Sequence, residues 1–259
     1  MSAHSLALPS ARRRGAFWRL LRTEALLTWR RPIGPAVGIG LPVLLLVIFG
    51  EVPAFHHRSA SLGGISAFTS YVPVVVILGL ALIALMSLPS PLTTYRELGV
   101  LHRLSTTPVP PSWLLAAQLL VQATVAVAMA VVVLLGSVAA FGSPAPRSPI
   151  GVVIAVGLSI AGLFPLGLLV AALAKTNNGA MMIGRLVLFP TLFFAGLWLP
   201  RPLMPRVLLD ISNYTPLGAA VEAIQDSILH GFPPVGPLLV LAGYAVALAY
   251  LASRLFRWE

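Results

Sequence analysis

"TTYRELGVLHRLSTTPVPP", Thr93 to Pro111, is a polar interruption in a chain that is otherwise dominated by Leu, Val, Ile and Ala on both sides. How it reads decides what the flanking apolar blocks are. Thr94 with Glu97 three residues on has the capping-box arrangement, in which a threonine hydroxyl and a glutamate answer each other's free amides. Leu98, Leu101 and Leu104 recur at a spacing of three and share one face, while Arg96, Glu97 and Arg103 lie around the other sides. Pro108, Pro110 and Pro111 then stop the helix. The pattern predicts a compact peg over Tyr95–Leu104, joining two long apolar segments.

Composition says what those segments are. Of 259 residues, 58% are hydrophobic and only 9% charged, where a soluble domain carries about 25% charged residues. The apolar residues fall in blocks of roughly 20, the length that crosses a bilayer as a helix. The predicted class is therefore an all-α integral membrane protein. Six crossings are expected, over Ile33–Val52, Ala67–Leu88, Trp113–Phe141, Ile150–Leu173, Met181–Leu199 and Val235–Leu255. Pro42, Pro73, Pro165 and Pro190 fall inside them, tolerated where neighbouring helices satisfy the freed carbonyls. With no cysteine in the chain, disulfides and thiolate metal sites are excluded, and five scattered histidines form no ligand cluster. No secretory signal is expected, because the basic start runs into Arg19, Arg22 and Glu24 rather than an apolar run and a cleavage site.

The formal charge of +10 is read as topology rather than nucleic-acid binding. Arg12, Arg13, Arg14, Arg19, Arg22, Arg30 and Arg31 gather on one side of the six-crossing plan. Arg96, Arg103, Lys175, Arg185, Arg254 and Arg257 join them, leaving only Arg58, Arg147, Arg201 and Arg206 opposite. The positive-inside rule then places both termini and the peg in the cytoplasm.

Three pieces outside the crossings carry information. After a basic tail (residues 1–14), Gly15–Arg31 alternates Phe17, Leu20, Leu21, Leu27 and Trp29 with Arg19, Arg22 and Glu24. It reads as an amphipathic helix on the inner leaflet, or as a plain basic anchor for the first crossing. Lys175–Gly179 is a mere turn. Pro200–Gly231, on the outer side, is broken by Pro202 and Pro205 and restarted by Thr215–Pro216, with Pro at the first-turn position. Two short re-entrant helices fit it better than a full crossing, which would put Glu222 and Asp226 in hydrocarbon. These two carboxylates, one turn apart, suit a wetted outer rim or a contact with substrate or a cation.

The crossings hold no visible ion-coupling chemistry: Asp, Glu and Lys are missing from all of them apart from Glu51 at the very end of the first, and Arg185 in the fifth lies close enough to its end to snorkel. No catalytic motif is present either, so no enzyme is expected. A bundle without an energy source needs one outside the chain, and the peg either docks on a soluble motor or simply ties two crossings together.

Two stretches carry a family resemblance. "YRELGVLHRLSTTPVPPSWLLAAQLL" (Tyr95–Leu120) has an Arg/Glu pair, a Gly, a Leu-spaced helix and a Thr-Pro before the third crossing. "FAGLWLPRPLMPRVLLDISNYTPLGAAVEAIQDSILHG" (Phe194–Gly231) has a Gly–aromatic–Pro exit followed by a Glu-bearing helix. Both resemble the type-2 ABC transporter permeases, and specifically the branch of the daunorubicin and doxorubicin resistance permeases of actinobacteria. The resemblance implies a permease subunit of an ATP-driven exporter for a hydrophobic drug or metabolite. A lipid, glycolipid or polysaccharide exporter of the same plan is the alternative, and a non-transporting membrane module is a more distant one. It makes Tyr95–Leu104 the coupling helix for a separate ATPase subunit, through Tyr95, Arg96, Glu97, Leu98, Leu101, Arg103 and Leu104, with Glu24 on the neighbouring connecting helix. Pro200, Pro216, Glu222 and Asp226 would belong to the external gate. Two permease copies, as a homodimer, would join two ATPase subunits in the plasma membrane. This chain has no phosphate-binding Gly-Lys loop, so ATP and Mg would sit in the partner and no cofactor or metal in this chain.

Overall fold

The computed structural model describes residues 10–30, 33–99 and 111–255. Among them the fold is helical throughout, with one isolated bridge between Arg58 and Ser66. The helices are α1 (Ser10–Arg30), α2 (Ile33–Glu51), α3 (Ala67–Leu82), α4 (Pro89–Glu97), α5 (Pro111–Ala139), α6 (Pro149–Leu173), α7 (Asn177–Phe194), α8 (Arg206–Tyr214), α9 (Pro216–Leu229) and α10 (Val235–Leu255). Four continuous stretches are long and apolar enough to cross a membrane: Ala67–Glu97, Ser112–Ala139, Pro149–Leu173 and Val235–Leu255. The apolar helix over Ala36–Glu51 is shorter.

The first of the four is the axis of the molecule. α3 runs through one π-helical turn, Ile83–Ser87, directly into α4, giving a single rod of 31 residues whose most apolar window is 89% buried. Phe68, Ile77, Leu80, Ile83, Leu85 and Leu88 are all essentially inaccessible. At the opposite extreme, α10 buries 17% of its window and leaves Val235, Leu239 and Val246 outward. Apolar side chains exposed at that level on a long helix are what a lipid-facing surface presents.

Prolines explain why the axis changes pitch where it does. A helix bonds each amide to the carbonyl four residues back. Pro89 has no amide for Leu85, and Pro91 none for Ser87. The π turn shifts the register, with the Leu88 amide reaching back to the Ile83 carbonyl at 2.9 Å, and neighbouring helices come in against the loosened backbone. Gly167 of α6 lies against the Ala84 carbonyl and Gly184 of α7 against that of Leu85, each so close that a Cβ would fall inside the oxygen's contact radius. Gln122 of α5 reaches Ser87 twice, its Nε2 towards the Ser87 carbonyl at 3.5 Å and its Oε1 accepting from the Ser87 hydroxyl at 3.2 Å.

This continuity overturns the capping-box reading. Thr94 is no N-cap: its hydroxyl donates to the Ser90 carbonyl at 2.9 Å from inside α4. Tyr95, Arg96 and Glu97 are the last turn of the axial rod, closed by Leu98 and by Gly99 in the left-handed region (φ 66°). The Thr-x-x-Glu pattern was thus satisfied mid-helix, because the prolines before it break less than they would in a lone helix. Leu101, Arg103 and Leu104 lie outside the described residues, as do residues 1–9 of the basic tail.

Two further boundaries differ from expectation. α1 begins at Ser10, ahead of Gly15. α7 starts four residues before Met181, since the Thr176 hydroxyl caps it by accepting from the Gly179 amide, and ends at Phe194 before Gly196 (φ 92°). The outer stretch does contain two short helices, α8 and α9, and α9 starts as read: Thr215 caps the Gly218 amide with Pro216 in the first turn.

Candidate functional site

Three side chains in a row at the end of the axial rod grip three other helices. Tyr95 Oη donates to both carboxylate oxygens of Glu24 on α1, at 3.0 and 3.1 Å, and Glu24 is only 3% exposed. Arg96 Nη1 donates to the carbonyls of Ala171 and Ala174 at 3.1 and 2.8 Å, at the C-terminal end of α6. Glu97 Oε1 accepts from the Asn177 amide at 2.9 Å, at the start of α7. The signs match the helix dipoles: a cation meets carbonyls left over at a helix end, and an anion meets amides left over at a helix start. Arg96 and Glu97 therefore straddle the three-residue turn between α6 and α7.

Thirty-one residues span roughly 46 Å at the helical rise, longer than the ~30 Å of hydrocarbon in a bilayer. At this end of the rod Glu97 and Leu98 are exposed. Of the residues expected to contact a partner, the structure brings Glu24, Tyr95, Arg96 and Glu97 into this one junction and engages all four within the chain.

Beside the junction lies a cavity of about 800 Å³ between α1, α2, the π turn, α5 and α7. Leu82, Met86, Ser87 and Ser90 of the axial rod form one wall, and Phe189 is the one aromatic side chain among its described lining residues. Gln118 and Gln122, both nearly inaccessible on α5, give it a polar flank. The sequence reading missed this pair. Two glutamines one turn apart in an otherwise apolar crossing were the available signal.

The Pro200–Gly231 segment holds a second polar cluster, and here too sequence reasoning chose only part of the set. Arg201, buried at 8% exposure, sits at its centre. It donates to the Ser212 hydroxyl, to the Gly218 carbonyl at 3.0 Å, to Asn213 Oδ1 at 2.6 Å and to Glu222 Oε2 at 2.7 Å. Ser212 passes the chain on to the Phe194 carbonyl. Burial pushes the Glu222 carboxyl above its ordinary range and the Arg201 guanidinium below its own, each opposed by the other's charge. Glu222 is therefore half of an ion pair rather than one of two rim carboxylates. Asp226 pairs separately with His230 at 2.9 Å on the surface. Pro216 is buried in the first turn of α9 and Pro200 precedes the turn that carries Arg201. α9 itself is packed on α6 and α3, with Leu217, Val221 and Ile224 inaccessible. α8 turns Ser212 inward and leaves Leu208 and Leu209 half-buried, while Val207 and Tyr214 are more than two-thirds exposed beside the exposed Arg206 and Asp210.

A family model described as ABC-2 type transporter matches residues 15–229. No curated protein matches the chain.

Proposed function

The chain belongs to the ABC-2 type transporter family and is a multi-pass permease subunit of an ABC transporter, and from that premise we propose that it exports a hydrophobic drug or metabolite. The energy comes from a separately encoded ATPase subunit, which holds ATP and Mg. Two copies of this permease with two ATPase subunits make the working unit, in the plasma membrane with both termini in the cytoplasm. Six crossings complete each permease, α2 and α7 adding to the four longest. The likeness to the daunorubicin and doxorubicin branch supports the choice of cargo.

One observation carries the reading: the same rod that walls the cavity also ends in the junction. A push at the cytoplasmic end, on Leu98, Leu101, Arg103 and Leu104 beside Tyr95–Glu97, moves α1, α6 and α7 with it and changes the cavity's walls. The rod is free to pivot at its π turn, where the regular ladder is already interrupted. At the other end, α8 and α9 with Pro200, Pro216, Glu222 and Asp226 form the outer gate, dipping into the outer leaflet. Cavity size supports a drug-sized ligand, since such molecules occupy pockets of about 300–1,000 Å³. A polysaccharide would need rows of aromatic rings for stacking, whereas a lipid or glycolipid remains the second reading because the open flank at Leu186 and Phe189 faces outward.

The test is uptake into inverted vesicles holding the permease and its ATPase. ATP-dependent uptake that survives a protonophore is the expected result. Uptake without ATP that collapses with the proton gradient would overturn the proposal.

A further inference from the structure

The cavity has two chemically different parts. Leu27, Val37, Leu82, Met86, Leu188 and Phe189 make an apolar body. Two guanidinium groups join the lining, Arg30 from the last turn of α1 and Arg185 from α7. Among the described residues the ion pairs are Arg201–Glu222 and Asp226–His230, so neither Arg30 nor Arg185 has a carboxylate within bonding range. The lining contains one described carboxylate, Glu24, and it is buried against the Tyr95 hydroxyl on both oxygens. Two cations thus border one largely apolar space, and among the described residues neither is within 4 Å of a carboxylate.

A topology signal alone does not account for this placement. An anchoring arginine belongs at a helix end. Arg185 lies eight residues into α7, about 12 Å along the helix from Asn177, with an exposed side chain that also lines the cavity. It borders the same space as an arginine from a helix 155 residues earlier in the chain. Guanidinium groups recognise carboxylate, phosphate and sulfate through paired N–H donors, and an apolar surround strengthens that attraction.

We propose that the cavity recognises an amphipathic anion, with its hydrocarbon or ring body among the apolar residues and its acidic group at Arg30 and Arg185. The inference rests on the permease reading and narrows its cargo. Neutral and acidic hydrophobic molecules are accepted, and an amine-bearing cation binds more weakly because of the same two charges.

The experiment measures binding to the full-length permease in phosphatidylcholine nanodiscs, with dodecyl phosphate, dodecanol, dodecylamine and inorganic phosphate as probes. Dodecyl phosphate should bind saturably and roughly tenfold more tightly than dodecanol, the scale of one good charge pair, and dodecylamine most weakly. Inorganic phosphate should fail to compete, because the tail is part of the recognition. The double variant Arg30→Gln, Arg185→Gln should abolish the difference between dodecyl phosphate and dodecanol while leaving dodecanol binding unchanged, and Arg30→Lys, Arg185→Lys should restore much of it. A difference that survives the Gln variant, dodecylamine binding as well as dodecyl phosphate, or displacement by inorganic phosphate alone would each overturn the proposal. So would a difference that vanishes in phosphatidylglycerol discs, since bilayer headgroups would then be the anions these arginines meet. Binding in discs needs no ATPase. An unmutated permease that shows no anion preference while ATP-driven uptake is intact therefore strikes this inference, and absence of ATP-driven uptake strikes the permease reading.

Discussion

The molecule has two polar clusters, one at each end, built from similar side chains and used in opposite ways. At the junction, Tyr95, Arg96 and Glu97 bond to groups 71 to 80 residues away in the chain, on three different helices. In the outer clamp, Arg201 bonds to partners 11 to 21 residues away, all within the stretch that forms α8 and α9. The first cluster ties separate helices to one rod. The second ties a small module to itself. In the proposed function a displacement at the first is passed on, whereas the second holds α8 and α9 against the end of α7, through Ser212 and the Phe194 carbonyl. Each mixes burial with exposure: Arg201 is almost sealed off beside a half-buried Glu222, and the junction joins the buried Glu24 to Glu97 at the surface. Energetic loss on mutation should therefore concentrate at the clamp, and functional loss at the junction.

The sharpest separation comes from Arg201→Ala. It leaves Glu222 half-buried without its partner, together with the unmet acceptors of Ser212, Asn213 and Gly218, and breaking such a pair costs about 3–5 kcal/mol, so a large drop in thermal unfolding temperature in detergent is expected. A wild-type unfolding temperature would show that the clamp is hydrated and contributes nothing. Next comes Gly167→Ala, which drives a methyl into the Ala84 carbonyl at the π turn. It should cost about 1–3 kcal/mol by overpacking and impair transport as well, placing the pivot between the two clusters in effect. Unchanged transport at lowered stability would mean that the π turn is packing only.

At the junction itself, Arg96→Gln should lower stability by only about 1–2 kcal/mol, the scale of charged hydrogen bonds at a part-buried site. Transport should fall far more than stability does. Equal losses would erase the distinction drawn between the two ends. The smallest effect is expected for Asp226→Asn, which removes an exposed pair with His230 and should change unfolding and transport within measurement error, about 0–0.5 kcal/mol. A strong transport defect there would show that Asp226 serves the gate through more than its surface pair with His230.

Apolar block length revealed the membrane class and most of the helices, because a long run of Leu, Val and Ala leaves no other solution. The break at Thr215–Pro216 and the stop at Gly231 were also legible, since each depends on local backbone chemistry. The start of the peg was not. Thr94 and Glu97 fit a capping box, yet Thr94 bonds back to Ser90, because tertiary support from Gly167, Gly184 and Gln122 lets the helix run through Pro89 and Pro91. Arg96 and Glu97 were recognisable as a pair of interest, but their partners are a backbone carbonyl end and a backbone amide end, which no side-chain pattern announces. Arg201 was hidden for a related reason. It was counted as an outer-side charge, and only the folding of α8 beside α9 encloses it with Asn213 and Glu222.

The central claim is that the axial rod carries motion from the ATPase to the cavity through the junction. It is tested most directly by measuring ATP hydrolysis and ATP-driven uptake together, in the purified permease–ATPase complex carrying Arg96→Gln and Glu97→Gln. The account predicts that the complex still assembles and hydrolyses ATP at its basal rate, while uptake is lost and cargo no longer stimulates hydrolysis. Uptake at the wild-type ratio to hydrolysis in that double variant would contradict it.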